Sequence, residues 1–218
     1  MKAVIVASGE PDPADIRHLD GADLVIAADG GAHWLGAAGA SPSWLIGDMD
    51  SVSVELVRHL DASGTRIERH PTTKDASDLA LAVDRAVSLG ADEIVILGAL
   101  KGDRLDHELA NVLLLADPAL GHHRVRIERG GTTVRCVVDG GRLQLGGRPG
   151  DRVTLLPVGG PAVRVRTEGL RYPLDGETLL LGSPRGLSNE VIRPSAWVEL
   201  DEGALLVIEE RNREKSQQ

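Results

Sequence analysis

Phenylalanine is absent from this chain of 218 residues, and aromatic residues make up only 2% of it. With hydrophobic residues at 42%, a core has to be packed from valine, leucine, isoleucine and alanine. The single cysteine, Cys136, excludes an internal disulfide framework and a cysteine-based zinc site. No apolar run reaches the roughly 18 residues of a membrane-spanning helix. The short apolar run in MKAVIVASGE enters a strand at once and is too brief for a secretory signal, so a cytoplasmic protein is expected. Positive charge is scarce: 24 Lys and Arg against 33 Asp and Glu leave a net charge of −9. That balance argues against a general nucleic-acid binder, although a polyanion still binds where metal ions neutralise the site. Lysine is scarcer still. Lys2, Lys74, Lys101 and Lys215 are the only four, and Lys74 stands among acids. No Gly-Lys dipeptide occurs, so there is no P-loop, and neither G-x-G-x-x-G nor G-x-S-x-G is present. The one His-Glu pair, His107–Glu108, lacks the second histidine of a zinc-protease helix.

What is present divides into two halves. Residues 1–116 alternate short apolar runs with helical patterns. KAVIVA (2–7), DLVIAA (23–28), SWLIG (43–47) and EIVILGA (93–99) read as strands buried on both faces, with TRIER (65–69) a weaker fifth. Helices are predicted over 13–19, 32–38, 53–62, 75–89 and 104–116. In the last of these Leu105, Leu109, Val112 and Leu113 form the expected core side. From Arg124 onward, short alternating runs such as RVRIER, RVTLLP and AVRVRTEG are split by Gly, Pro and Asp. In AVRVRTEG the alternation puts Val163 and Val165 on one face, Arg164 and Arg166 on the other. The expectation is an α/β N-terminal domain with a mostly parallel sheet, residues 1–120, followed by an all-β sandwich domain, residues 121–218. The polar tail RNREKSQQ (211–218) is expected to fray.

An open parallel sheet binds its ligand beyond the carboxyl ends of its strands, and here those ends carry acids. Asp29, Gly30 and Gly31 follow the second strand; adjacent glycines suit either a tight turn or close approach of a phosphate. In GDMDS, Asp48 and Asp50 are two apart on what reads as an extended segment, so both point one way and could converge on Mg²⁺. The plainer reading is solvated acids, with Ser51 or Ser53 capping the next helix. In TTKDASD, Asp75 reads as a helix N-cap and Asp78 as a first-turn acid favoured by the helix dipole. Lys74 is unexplained by that account, because a cation ahead of a helix N-terminus is unfavourable; a phosphate beside it would resolve this. Arg104 can grip phosphate with two parallel hydrogen bonds, while His107 alone reads as structural or peripheral.

ADGGA (28–32), IGDMDS (46–51), KDASD (74–78), RLDH (104–107), TEGLRYPL (167–174) and GLSNE (186–190) occur in the order found in thiamine pyrophosphokinases, and the chain resembles that family over nearly its whole length. The resemblance implies a nucleotide-binding α/β domain, a thiamine-binding β-sandwich, and homodimers with active sites at the subunit interface. It implies transfer of the pyrophosphoryl group of ATP to the hydroxyl of thiamine, with Mg²⁺ required. By the same resemblance Asp48, Asp50, Asp78 and Asp106 match the family's acids around metal and phosphates. Ser51, Lys74, Ser77 and Arg104 match its phosphate side, and Ser188 and Asn189 lie near the thiamine site. Two departures stand out. KGDRLDH replaces the family's Gly-Gly before Arg-x-Asp-His, and Ser77 stands where Thr is frequent. Tyr172 and Trp197 are the only aromatics in the C-terminal half, and neither matches an identified thiamine-stacking position.

The mechanism expected from this set places Mg²⁺ between Asp48 and Asp50, with Asp78 as a further ligand. Lys74 and Arg104 then balance phosphate charge, and Asp50 or Asp106 accepts the hydroxyl proton. Two alternatives stay open at this stage: a pyrophosphokinase acting on a pterin alcohol, and a non-catalytic sensor of nucleotide or thiamine diphosphate. Neither membrane nor nucleic acid is an expected partner.

Overall fold

A computed structural model of the chain describes residues 1–212; the expected fraying of the tail falls, for 213–218, outside the described residues. The chain divides into two compact units, Met1–Leu114 with His122–Gly130, and Leu115–Gly121 with the residues from Gly131 onward.

The first unit is built on six parallel strands. These are β1 (Lys2–Val6), β2 (Leu24–Ala28), β3 (Trp44–Gly47), β4 (Arg66–Arg69), β5 (Glu93–Leu97) and β6 (Arg124–Arg129). Their spatial order is β4-β3-β2-β1-β5-β6, every neighbouring pair parallel. The sequence reading grouped RVRIER with the antiparallel half, but as β6 it extends the parallel sheet beside β5. Its alternation resembles an antiparallel strand because only part of it is buried.

Four helices follow: α1 (Gly31–Ala37), α2 (Val54–Ala62), α3 (Asp78–Ser88) and α4 (Leu105–Leu113); Pro13–His18 is a 3₁₀ turn. Val4, Val6, Leu45, Val95 and Leu97 pack with Leu35 of α1 and with Val57 and Leu60 of α2. Alternate residues such as Ile5, Ile26 and Ile46 point to the opposite sheet face, where α3 lies on β1, β2 and β3. All three are fully buried, each contributing about 1.5–3 kcal/mol. Isoleucine and leucine supply the largest fully buried side chains among the described residues, as an aromatic-poor core requires.

The helix ends correct two expectations. The α3 N-cap is Ser77, whose Oγ accepts from Ala80 N at 3.1 Å, not Asp75. On α4 no residue is buried, and the expected core leucines Leu105, Leu109 and Leu113 are exposed.

The second unit is antiparallel: β7 (Thr132–Val138), β8 (Arg142–Gln144), β9 (Arg152–Glu168), β10 (Asp175–Leu179), β11 (Asn189–Glu190), β12 (Trp197–Glu199) and β13 (Glu202–Glu210). RVTLLP and AVRVRTEG, read as separate runs, are one 17-residue strand, β9. Its first half pairs with β13, its second with β10 and β12, so one strand serves both layers of the sandwich. Arg164 has φ +51°, and the pairing register shifts beside it. Ala162 and Val165, three apart, therefore both enter the core, and Val163 does not. Arg164 and Arg166 do share a face, where both grip Asp201 at 2.5 and 2.7 Å.

Candidate active site

The strand order reverses between β1 and β5, the switch point at which open parallel sheets form a crevice. The pairing runs on past the strand ends, with Gly9 N donating to Gly98 O at 2.8 Å. A Cβ on Gly9 would lie 2.4 Å from that same oxygen, so the backbones meet only because glycine is present. Beyond them opens a cleft of about 520 Å³. Asp29, Asp48, Asp50, Ser51, Ser77 and Asp78 line one side, and Arg104, His107, Glu108 and Asn111 the other.

Asp29, Asp48 and Asp78 each bring a carboxylate oxygen within 4.8 Å of the other two. Asp29 follows β2, Asp48 follows β3, and Asp78 opens α3, so three separate elements deliver the acids. Asp29 is only 5% exposed, and its Oδ1 has no hydrogen-bond partner. Burial, reinforced by the charges of Asp78 and Asp50, raises its pKa above the ordinary carboxylate value. Asp48 moves the other way, held ionised chiefly by the Asp50 N–H, which donates to its Oδ1 at 3.1 Å, and by Lys74. Lys74 Nζ stands 2.8 Å from Asp78 Oδ1 and 3.6 Å from Asp48 Oδ2. Burial alone would lower its pKa, but the pull of Asp78 and Asp48 outweighs that and raises it.

This donor set fits a hard divalent cation. Oxygens about 2.1 Å from Mg²⁺ stand up to roughly 4.2 Å apart across an octahedron, close to the spacing seen. An orphaned buried carboxylate oxygen otherwise costs free energy with no return.

Asp50 stands apart from the three-acid cluster. Met49 has φ +67°, so Asp48-Met49-Asp50 turns instead of running extended, and the two-residue spacing does not aim both carboxylates alike. Asp50 borders the cleft with Oδ1 accepting from Ser51 Oγ at 2.9 Å. His33 Nε2 lies 3.0 Å from the Ser51 carbonyl. Gly31 has a packing reason to be glycine: a Cβ there would sit 1.9 Å from Val6 O.

Two family models match the chain. One described as "Thiamin pyrophosphokinase, catalytic domain" spans residues 17–128, and one described as "Thiamin pyrophosphokinase, vitamin B1 binding domain" spans 142–205. The chain belongs to the thiamine pyrophosphokinase family. A thiamine pyrophosphokinase of Bacillus subtilis (strain 168) is 27% identical over 212 residues, covering 95% of this chain and 98% of the relative. Thiamine pyrophosphokinase 1 of Oryza sativa subsp. japonica is 27% identical over 195 residues, covering 78% of this chain and 67% of its own. Among solved structures, the Bacillus subtilis enzyme superposes with a TM-score of 0.86 at 26% identity, covering 97% of this chain and 100% of that one. The Geobacillus thermodenitrificans enzyme gives 0.83 at 28%, covering 98% and 99%.

Other motif residues of this thiamine pyrophosphokinase family member fall into two groups. Arg104 borders the cleft, but its guanidinium is tied to Asp106, whose pKa it pulls down to about 2. Asp106 itself is absent from the cleft lining. His107, read as peripheral, lines the cleft, as do Glu108 and Asn111, which were not singled out. Their signal was the helical spacing of 104, 107, 108 and 111, which shares one face. Ser8 and Gly9 also line it, announced only by the position of SGE after the first strand.

In the second unit, Asn189 is buried and its amide makes three hydrogen bonds. Oδ1 accepts from Tyr172 N at 3.0 Å and Glu190 N at 2.9 Å, and Nδ2 donates to Tyr172 O at 2.7 Å. Tyr172 is 58% exposed. Ser188 is exposed at φ +55°, its N–H donating to Thr154 Oγ1 at 3.1 Å.

Proposed function

We propose that this chain transfers the pyrophosphoryl group of ATP to the hydroxyl of thiamine, yielding thiamine diphosphate and AMP. The observation that carries the reading is the three-acid cluster at the sheet's switch point, in which Asp29 is buried with its Oδ1 unpartnered. Asp29, Asp48 and Asp78 would hold Mg²⁺, and Asp50 borders the same cleft. When bound, the metal withdraws charge from the phosphoryl oxygens. Lys74 and Arg104 neutralise the phosphates, and the cleft walls hold the triphosphate so that the thiamine oxygen attacks the β-phosphorus in line. The new O–P bond forms as the bond from the β-phosphorus to the α,β-bridging oxygen breaks, and AMP departs with that oxygen. The hydroxyl proton passes to Asp50 in preference to Asp106. Asp106 is clamped by Arg104 with a pKa of about 2, which makes it a weak base.

The first unit is then the nucleotide-binding domain and the second the thiamine-binding domain, with Ser188, Asn189 and Tyr172 on the thiamine side. A homodimer belongs to the same proposal. Its support is the exposed leucine stripe of α4, the helix that also brings His107 and Asn111 to the cleft. ATP use suits a cytoplasmic enzyme; among the described residues no helix is long and apolar enough to cross a membrane. A pterin acceptor is not favoured, because both family models are those of thiamin pyrophosphokinase.

The test is to incubate the protein with ATP, Mg²⁺ and thiamine and separate the products. Equal AMP and thiamine diphosphate are expected. ADP with thiamine monophosphate would refute attack at the β-phosphorus. Asp78→Asn is expected to abolish turnover in a folded chain.

A further inference from the structure

We infer that Lys74 is the resident cation of the acidic site: its ammonium competes with the metal and yields only when phosphate gives it a new partner, which couples metal binding to nucleotide binding. This rests on the site proposed above.

Three carboxylates converge, yet among the described residues one ammonium serves them, and it reaches only two. Lys74 Nζ is 2.8 Å from Asp78 and 3.6 Å from Asp48, while Asp29 Oδ1 is left without a partner. The lysine and Asp78 are four residues apart, but this is not a helix-surface pair. α3 begins at Asp78 itself, and Lys74 precedes its Ser77 cap. The side chain is turned inward, at 14% exposed, to meet the acids. In this arrangement the ammonium reduces the repulsion among the carboxylates.

A divalent ion at this position needs those same oxygens. It binds carboxylate at about 2.0–2.1 Å in a strict octahedron, so an oxygen held by Lys74 must first be released. A metal arriving alone displaces the ammonium with no anion to receive it. A metal arriving with a triphosphate brings the receiving anion along. Lysine suits such an exchange better than arginine, because its ammonium is a point charge without a fixed fork geometry. Lys74 is thus a positioning residue that makes the free metal bind weakly and the metal–nucleotide pair bind well.

The test uses Mn²⁺ as probe, with free ion read by electron paramagnetic resonance, on wild type, Lys74→Met, Lys74→Gln and Asp78→Asn. Without nucleotide, both lysine variants are expected to bind Mn²⁺ at least about 5-fold more tightly than wild type, the lower edge of ordinary coupling. With α,β-methylene-ATP, wild type is expected to gain more Mn²⁺ affinity than either lysine variant. Urea unfolding is expected to show the lysine variants weakened without metal and restored by Mn²⁺. Unchanged or weaker nucleotide-free Mn²⁺ binding in both lysine variants overturns the inference, as does failure of both to fold even with Mn²⁺. If wild type binds no Mn²⁺ with nucleotide present, or Asp78→Asn binds it as wild type does, the acidic site itself falls, and this inference with it.

Discussion

Gly47 faces both Asp29 and Asp78 at close range: a Cβ on it would lie 3.1 Å from Asp78 Oδ1 and 3.0 Å from the Asp29 Cβ, tighter than side chains ordinarily pack. The backbone there has φ +152°, which side chains rarely adopt. The last residue of β3 therefore keeps open the space in which three acids meet. Gly47→Ala is expected to cost about 1–3 kcal/mol of stability and to weaken metal binding by separating Asp29 from Asp78. Chemical denaturation beside a metal titration checks both. Full stability with intact metal affinity would mean that the close approach does not shape the site.

Asp29 ties stability to function with opposite signs. Its folded-state pKa lies above the ordinary value of 3.8, from burial and the nearby Asp78 and Asp50. A raised carboxyl pKa means that the metal-free native state holds its proton more tightly than the unfolded chain. The stabilisation is complete below 3.8 and is lost as pH rises through the raised value. At neutral pH the ionised group is a liability until a cation arrives. Asp29→Asn is expected to raise the melting temperature of the metal-free protein at neutral pH by roughly 2–4 °C, and the gain should vanish in acid. The same variant should lose stabilisation by Mg²⁺ and at least about 100-fold in turnover, the lower end of what removing one electrostatic group costs. Thermal melts across pH, with and without Mg²⁺, decide the point.

The acids at the strand ends were visible in the sequence because buried parallel strands are near-continuous apolar runs, and Asp or Gly appears just beyond nearly every one. The resemblance grouped Asp48 with Asp78, but that Asp29 and not Asp50 completes the cluster was not visible. Asp29 lay beside Gly30 and Gly31, whose pairing suggested a phosphate, and no local pattern says that the ends of β2, β3 and the start of α3 converge. Asp50 was paired with Asp48 on the assumption of extended backbone, which the left-handed Met49 breaks. β9 read as two strands because Gly159-Gly160-Pro161 resembles a turn, yet the strand bends through it from one layer to the other. Periodicity identified a leucine face on α4, but periodicity cannot say what covers a face.

That leucine face carries the prediction on assembly. Leu105, Leu109 and Leu113 are 69%, 54% and 53% exposed, one helical turn apart. Three leucines aligned in water suit a contact between copies. Leu109→Glu is expected to convert a dimer to a monomer in light scattering after gel filtration, with the circular dichroism spectrum unchanged. Because α4 also lines the cleft, turnover should fall with dimer content at low protein concentration. A monomeric wild type would remove the basis for this.

Asn189 and Tyr172 carry the prediction on the thiamine side. The Asn189 amide holds both the N–H and the C=O of Tyr172, at 3.0 and 2.7 Å, and its Oδ1 also accepts from Glu190 N. Its role is then to fix the segment that presents the exposed Tyr172 ring. Asn189→Ala removes these partners at a cost of about 1–3 kcal/mol and frees the Tyr172 backbone. The KM for thiamine is expected to rise by roughly 10-fold, equivalent to about 1.4 kcal/mol, while the KM for ATP stays unchanged. Hydrogen exchange separates this clamp from direct ligand contact. A clamp predicts faster exchange at the Tyr172 amide in the variant without thiamine present. Slow exchange there, together with weakened thiamine binding, would make Asn189 a ligand residue in its own right.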